Sequence, residues 1–195
     1  MSRRTLWVIV LLALVLGGAY LYWDNASGRK IAQQARQELR TVQGEESDYY
    51  GDGLINRQYD KEGHLEQSLA AAKSAHYDST ASTLFDKPHI RAQDSNGRTW
   101  QIRAAKGSMK DKTREIVLQN QVLIEPLNVP EAEQVQVETS ELFINLQNKS
   151  AQTDKAVRIS NANAVTTGIG MSFSVPEQTL ELHQQVRTQY APPAK

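Results

Sequence analysis

Cysteine is absent from this 195-residue chain. That removes disulfides, thiolate metal sites, a cysteine nucleophile and lipid attachment through an N-terminal cysteine together. Net charge is also absent, because 22 Lys and Arg balance 22 Asp and Glu. A dedicated nucleic-acid binder carries a clear basic excess, so nucleic acid is not expected as a partner. Histidine is sparse, and His64, His76, His89 and His183 share no metal-ligand spacing. No serine sits in a nucleophile elbow. Gly168-Ile169-Gly170 lacks the strand, loop and helix context of a nucleotide fingerprint and reads as a bulge or turn. Glu45 with Glu46, and Glu131 with Glu133, read as solvated charge in loops. No catalytic residue, metal ligand or cofactor site emerges, and an enzyme is not expected. With 39% hydrophobic residues and 23% charged ones the chain is ordinary enough to bury a core. Its length allows one domain with a modest appendage.

The appendage is N-terminal. Arg3 and Arg4 precede 18 uncharged residues, Leu6 to Trp23, before Asp24 ends the run. As a helix rising about 1.5 Å per residue this run spans roughly 27 Å, close to the hydrocarbon core of a bilayer. Trp7 at one end and Tyr20, Tyr22 and Trp23 at the other suit the two interfaces. A cleaved signal peptide would put a small-x-small site after the apolar run, where the aromatic cluster stands instead. The expected organisation is therefore a cytoplasmic N-terminus at 1–5, a transmembrane anchor at 6–23 and a linker at 24–50. Residues 51–190 form a β domain on the far side of the membrane, and 191–195 a tail. Within the linker Ile31, Ala35, Leu39 and Val42 recur at helical steps. Their thin stripe suits a tether better than a docking helix.

After Tyr49 the texture changes to short alternating segments. Trp100, Ile102 and Ala104 alternate, as do Val135 with Val137, Leu142 with Ile144 and Leu146, and Met171 with Phe173 and Val175. Leu180 with Leu182, and Val186 with Thr188 and Tyr190, continue the pattern. Repeated period-two alternation predicts half-buried antiparallel strands. Asp60-Lys61-Glu62-Gly63 and Asp94-Ser95-Asn96-Gly97 read as hairpin turns. Ala71-Ala72-Lys73-Ser74 is echoed by Ala104-Ala105-Lys106-Gly107. Ile102, Val122 and Ile124 return 35 residues later as Val137, Val157 and Ile159. Such units cannot bury an apolar face alone, so two facing sheets in an all-β sandwich or jelly roll are expected. Two binding devices follow, an unpaired sheet edge and an apolar trough between the layers. Small residues placed inward by alternation (Ala70, Ala72, Ala75, Ala104 and Ser108) fit either a trough or tight packing.

In this order, after an uncleaved anchor, several landmarks resemble the LptC family of lipopolysaccharide export proteins. They are Tyr59-Asp60-Lys61-Glu62-Gly63, Leu84-Phe85-Asp86-Lys87-Pro88, Thr99-Trp100, Thr167-Gly168-Ile169-Gly170-Met171 and Val186-Arg187-Thr188-Gln189-Tyr190. The resemblance implies an open, twisted antiparallel β-jelly roll behind one N-terminal transmembrane helix. It implies a single-pass protein of the cell inner membrane with its C-terminal domain in the periplasm. Such a protein accepts lipopolysaccharide from an inner-membrane ABC transporter and passes it to a soluble periplasmic β-jelly-roll bridge protein. It further implies that Leu54, Phe85, Leu180 and Tyr190 line or gate a lipid trough. Val186, Arg187, Thr188 and Tyr190 would lie at the edge that receives the bridge protein. The rival expectation is an envelope adaptor that never touches lipid.

Overall fold

The computed structural model describes residues 46–93, 97–130, 134–174 and 179–190. The expected anchor, nearly all of the 24–50 linker and the tail lie outside these residues. No helix among the described residues is long and apolar enough to cross a membrane.

The strands are β1 (Tyr49–Tyr59), β2 (Leu65–Tyr77), β3 (Ser82–Asp86), β4 (His89–Gln93), β5 (Thr99–Arg103) and β6 (Lys106–Lys110). They continue with β7 (Glu115–Pro126), β8 (Val135–Asn145), β9 (Ser150–Asn161), β10 (Ala164–Ser174) and β11 (Thr179–Tyr190). All eleven belong to one sheet. β3 and β4 behave as one long strand broken at Lys87-Pro88, and β5 and β6 as another broken at Ala104-Ala105. Their pairing holds one antiparallel register throughout, from Ser82 opposite Lys110 to Gln93 opposite Thr99. β2 spans both β3 and β4, and β7 spans both β6 and β5. The chain is thus an up-and-down antiparallel meander.

The breaks in these strands line up. The pairing registers place Gly53, Ala72, Lys87, Ala105, Asn120 with Gln121, Ser140, Lys155, Gly170 and His183 side by side across the sheet, with Gln185 a little further along β11. Lys87 donates its backbone N–H to the Ala105 carbonyl, and Ala105 donates its own to the Asn120 carbonyl, both at 2.9 Å. Gly53, Lys87, Asn120, Gln121, Gly170 and Gln185 all have positive φ. Register shifts fall on the same line in β7, β8 and β10, and the β10–β11 shift lies beside it at Gly168. A bulge bends its strand, and a row of bends creases the whole sheet.

The crease turns one sheet into two layers. Leu118 and Leu142 are 0% exposed, which a sheet with both faces in water does not achieve. Phe85, Ile116, Leu142 and Met171 on one side of the crease share a single core with Leu69, Ile90, Val122 and Val157 on the other. The two sheets expected from the sequence are therefore halves of one continuous sheet, in an all-β arrangement that fits a jelly roll. The 35-residue repeat is one up-and-down strand pair. Ile102, Ile124, Val137 and Ile159 stand in one row across β5, β7, β8 and β9.

The crease also corrects the inward assignment of the small residues. Strict alternation fails there, because inner positions step by three or four, as from Ala71 to Ser74 and from Leu118 to Val122. Ala71 packs in the core, whereas Ala70 and Ala72 flank it on the opposite face. Ser108 stands between Leu84 and Val117 in the same row as Ala75, on the opposite face, where it is buried beside the small second cluster of Val117 and Phe143. Of the five small residues singled out, only Ala104 joins the core.

Candidate functional site

The inner face can be followed row by row from one edge of the sheet to the other. One row runs Gly51, Ser74, Phe85, Gly107, Leu118, Leu142, Thr153, Met171 and Leu182. Its neighbour runs Tyr49, His76, Thr83, Met109, Ile116, Ile144, Ala151, Phe173 and Leu180. The middle of each row is apolar and closed. Phe85, Leu118, Leu142 and Met171 fill the space between the layers there. A Cβ on Gly107 would come within 3.1 Å of both Leu118 and Pro88, so this position leaves no slack.

The rows end on unpaired strands. Among the described residues β1 bonds only to β2, and β11 only to β10. Each therefore presents free backbone N–H and C=O groups along its outer side. At the β1 end the inner face is mixed: Asn56 and Gln58 are polar, Leu54 packs against the core, and Tyr49 is exposed. At the β11 end it stays apolar. Leu182 packs on the core, while Leu180 is 46%, Val186 51% and Tyr190 69% exposed.

These positions locate the residues singled out from the sequence. Leu54 is half-buried opposite Ala71. Phe85 is 3% exposed, a member of the closed core rather than of a surface groove. Leu180 stands opposite Phe173 on the exposed edge, and Tyr190 opposite Ala164 at the end of the same strand. Thr188 faces Thr166 with their hydroxyls 3.0 Å apart, and Arg187 pairs with Thr167 on the opposite face. β11 thus brings Leu180, Val186, Thr188 and Tyr190 onto one edge with Leu182. Phe85 and Leu54 lie several strands away. Phe173 and Leu182, which complete the apolar β11 margin, were legible only as alternating residues.

The histidines have local partners. His76 lies 3.1 Å from the Thr83 hydroxyl and 3.0 Å from Asp78. His89 lies 2.9 Å from Gln101, and His183 2.9 Å from the Ser172 hydroxyl. Among the described residues no group of His, Asp and Glu is arranged to hold a metal ion. Gly170, which the sequence predicts in a bulge or turn, lies on the crease with φ of 78° and a register shift beside it. A Cβ there would meet the His183 ring at 2.7 Å.

Two carboxylates are held below their ordinary range. Asp60 accepts the backbone N–H of His64 at 2.8 Å and of Glu62 at 3.0 Å, closing the β1–β2 turn around Gly63. The His64 N–H is the main cause of its lowered pKa, aided by the adjacent imidazole. Glu66 accepts from Lys149 Nζ at 2.9 Å and from Gln58 at 3.2 Å. The Lys149 hydrogen bond and charge draw its pKa down. This ion pair joins β2 to the β8–β9 turn, strands that are far apart in the sheet order.

Comparison with known families gives one that matches residues 9–191, described as lipopolysaccharide-assembly, LptC-related. The match covers nearly the whole chain, including the β domain and most of the apolar N-terminal run. The chain belongs to this family, and its role lies in lipopolysaccharide transport. Comparison with curated proteins gives no match.

Proposed function

We propose, with membership of that family as the premise, that this protein receives lipopolysaccharide from an inner-membrane ABC transporter. It passes the lipid to a soluble periplasmic bridge protein of the same β architecture. Residues 6–23 anchor it in the inner membrane, and the β domain stands in the periplasm. Burying one methylene gains about 0.8 kcal/mol, so several acyl chains in water cost on the order of tens of kcal/mol. A continuous apolar shelter removes that cost without chemistry, and ATP hydrolysis by the transporter supplies the direction.

The observation that carries this reading is the β11 margin. Its backbone is unpaired, and its inner face shows Leu180, Val186 and Tyr190 to solvent. A partner strand added there by β-augmentation would cover the free N–H and C=O groups. The same step would carry the apolar inner face onward into the partner. Leu180 and Tyr190 lie where lipid would cross, and Val186 to Tyr190 where the bridge protein would bind. β1, with Leu54 inward, is the edge left for the transporter's periplasmic domains.

The closed middle favours a second reading, an adaptor that joins the same partners by strand pairing and never admits lipid. Photo-reactive residues at Leu54, Leu180 and Tyr190, with exposed outer-face Ile55 as control, separate the two. The transport reading expects lipopolysaccharide adducts that depend on ATP and the transporter at the inner-face positions and not at Ile55. Absence of adducts at all three, with normal partner association, leaves the adaptor.

A further inference from the structure

The crease leaves each layer with a free end, and these ends are where the two halves of the sheet can part. Glu66 lies at the start of β2, at the end of its layer farthest from the crease at Ala72. Lys149 lies in the turn between β8 and β9, at the end of the other layer farthest from the crease at Ser140. Their 2.9 Å contact therefore bridges the open lip between the layers. Its reach agrees with the spacing of about 10 Å expected for stacked sheets. Both sides of the bridge are braced. Gln58 on β1 donates to the second Glu66 oxygen. The β8–β9 turn is tied to its neighbour by the Leu146 N–H donating to the Arg114 carbonyl at 3.2 Å.

We infer that the Glu66–Lys149 pair is a clasp across this lip, and that its opening admits the acyl chains of an amphiphile sideways between the layers. The inference rests on the lipid-carrying reading above for its occupant and on geometry for the clasp itself. The need for an opening follows from the closed interior: with Leu118 and Leu142 fully buried, chains enter only if the layers separate. The crease is a hinge line along which separation leaves the ladder hydrogen bonds within each layer intact. The pair is suited to repeated opening. The Glu66 side chain is 34% and the Lys149 side chain 56% exposed, so water replaces each partner readily when they part.

The full-length protein in detergent micelles tests this. The chain has no cysteine, so spin labels at Glu62→Cys and Asn148→Cys, both exposed positions, report the lip distance alone. A photo-reactive residue at Leu182 in parallel samples reports arrival of added lipopolysaccharide at the inner face. Glu66→Gln should raise the wide-lip population and the initial adduct rate by about two- to fivefold, the range set by a half-exposed ion pair. Raising the salt concentration should move the unsubstituted protein the same way. The exchanged pair, Glu66→Lys with Lys149→Glu, should restore both readouts. An unchanged distance distribution in Glu66→Gln overturns the clasp. A wider lip with an unchanged adduct rate overturns its role in admission. No adduct in any form, with a lip that still responds, sinks the transport reading and leaves the clasp standing.

Discussion

The middle of the sheet and its two margins carry the same inner-face pattern to opposite ends. In β6 to β9 the alternating apolar residues meet a facing layer and are sealed; in β11 the same alternation continues through Leu180, Val186 and Tyr190 without cover. Alternation therefore specifies which side chains point inward, while position in the sheet decides whether inward means buried. The proposed passage of lipid needs both conditions, a core that holds the layers in register and a margin left for a partner to finish. β1 and β11 differ in turn, since the first mixes Asn56 and Gln58 with Leu54 and Tyr49 while the second shows a longer run of apolar residues.

The largest expected effect lies in the middle. Leu142→Ala should cost about 2–5 kcal/mol in urea unfolding, because a fully buried leucine leaves both lost transfer energy and a cavity. At the crease, Gly170→Ala should cost roughly 1–3 kcal/mol, since the alanine must hold a positive φ while its Cβ displaces His183. A restored midpoint in Gly170→Ala combined with His183→Ala would sharpen this to the ring contact rather than φ. At the margin the order reverses. Leu180→Ala and Tyr190→Ala should move stability by only about 0.5 kcal/mol or less, yet Tyr190→Ala should weaken capture of the bridge protein in a pull-down. If the Tyr190 variant unfolds as readily as Leu142→Ala, the contrast between middle and margin fails.

The smallest effect is a pH dependence. Glu66 has its folded pKa lowered from 4.5 by Lys149. A carboxylate lowered on folding contributes stability that is present above its unfolded pKa and lost as pH falls through the folded value. Urea midpoints between about pH 6 and pH 3 should therefore fall slightly less in Glu66→Gln than in the unsubstituted protein. Equal falls in both would mean that the ion pair is not maintained in solution.

Much of the fold was legible because period two is a local signal. Leu142, Ile144 and Leu146, or Met171 and Phe173, announce their strand and its inner face without reference to the rest of the chain. The 35-residue echo announced repeated β units, which the structure shows to be successive up-and-down strand pairs. The crease was not legible. Positive φ at Lys87, Gln121 and Gln185 falls on residues whose types give no warning of it. Counting alternation across it is what placed Ala70 and Ala72 inward and missed Ala71. The candidate site divides the same way. Leu180 to Tyr190 stood out as a strand, but nothing in their pattern distinguishes an uncovered margin from a buried one. The alternation treats Phe85 and Leu180 alike, though one lies inside and the other outside.

By itself the sequence determined the all-β character and the repeated strand units, since each depends on residue type and near-neighbour spacing. Only the tertiary structure decided where the sheet creases, which inner residues are sealed and that Glu66 meets Lys149 across 83 positions. Burial and ion pairing act between groups brought together by the whole fold, and the free energy of a side chain depends on what faces it.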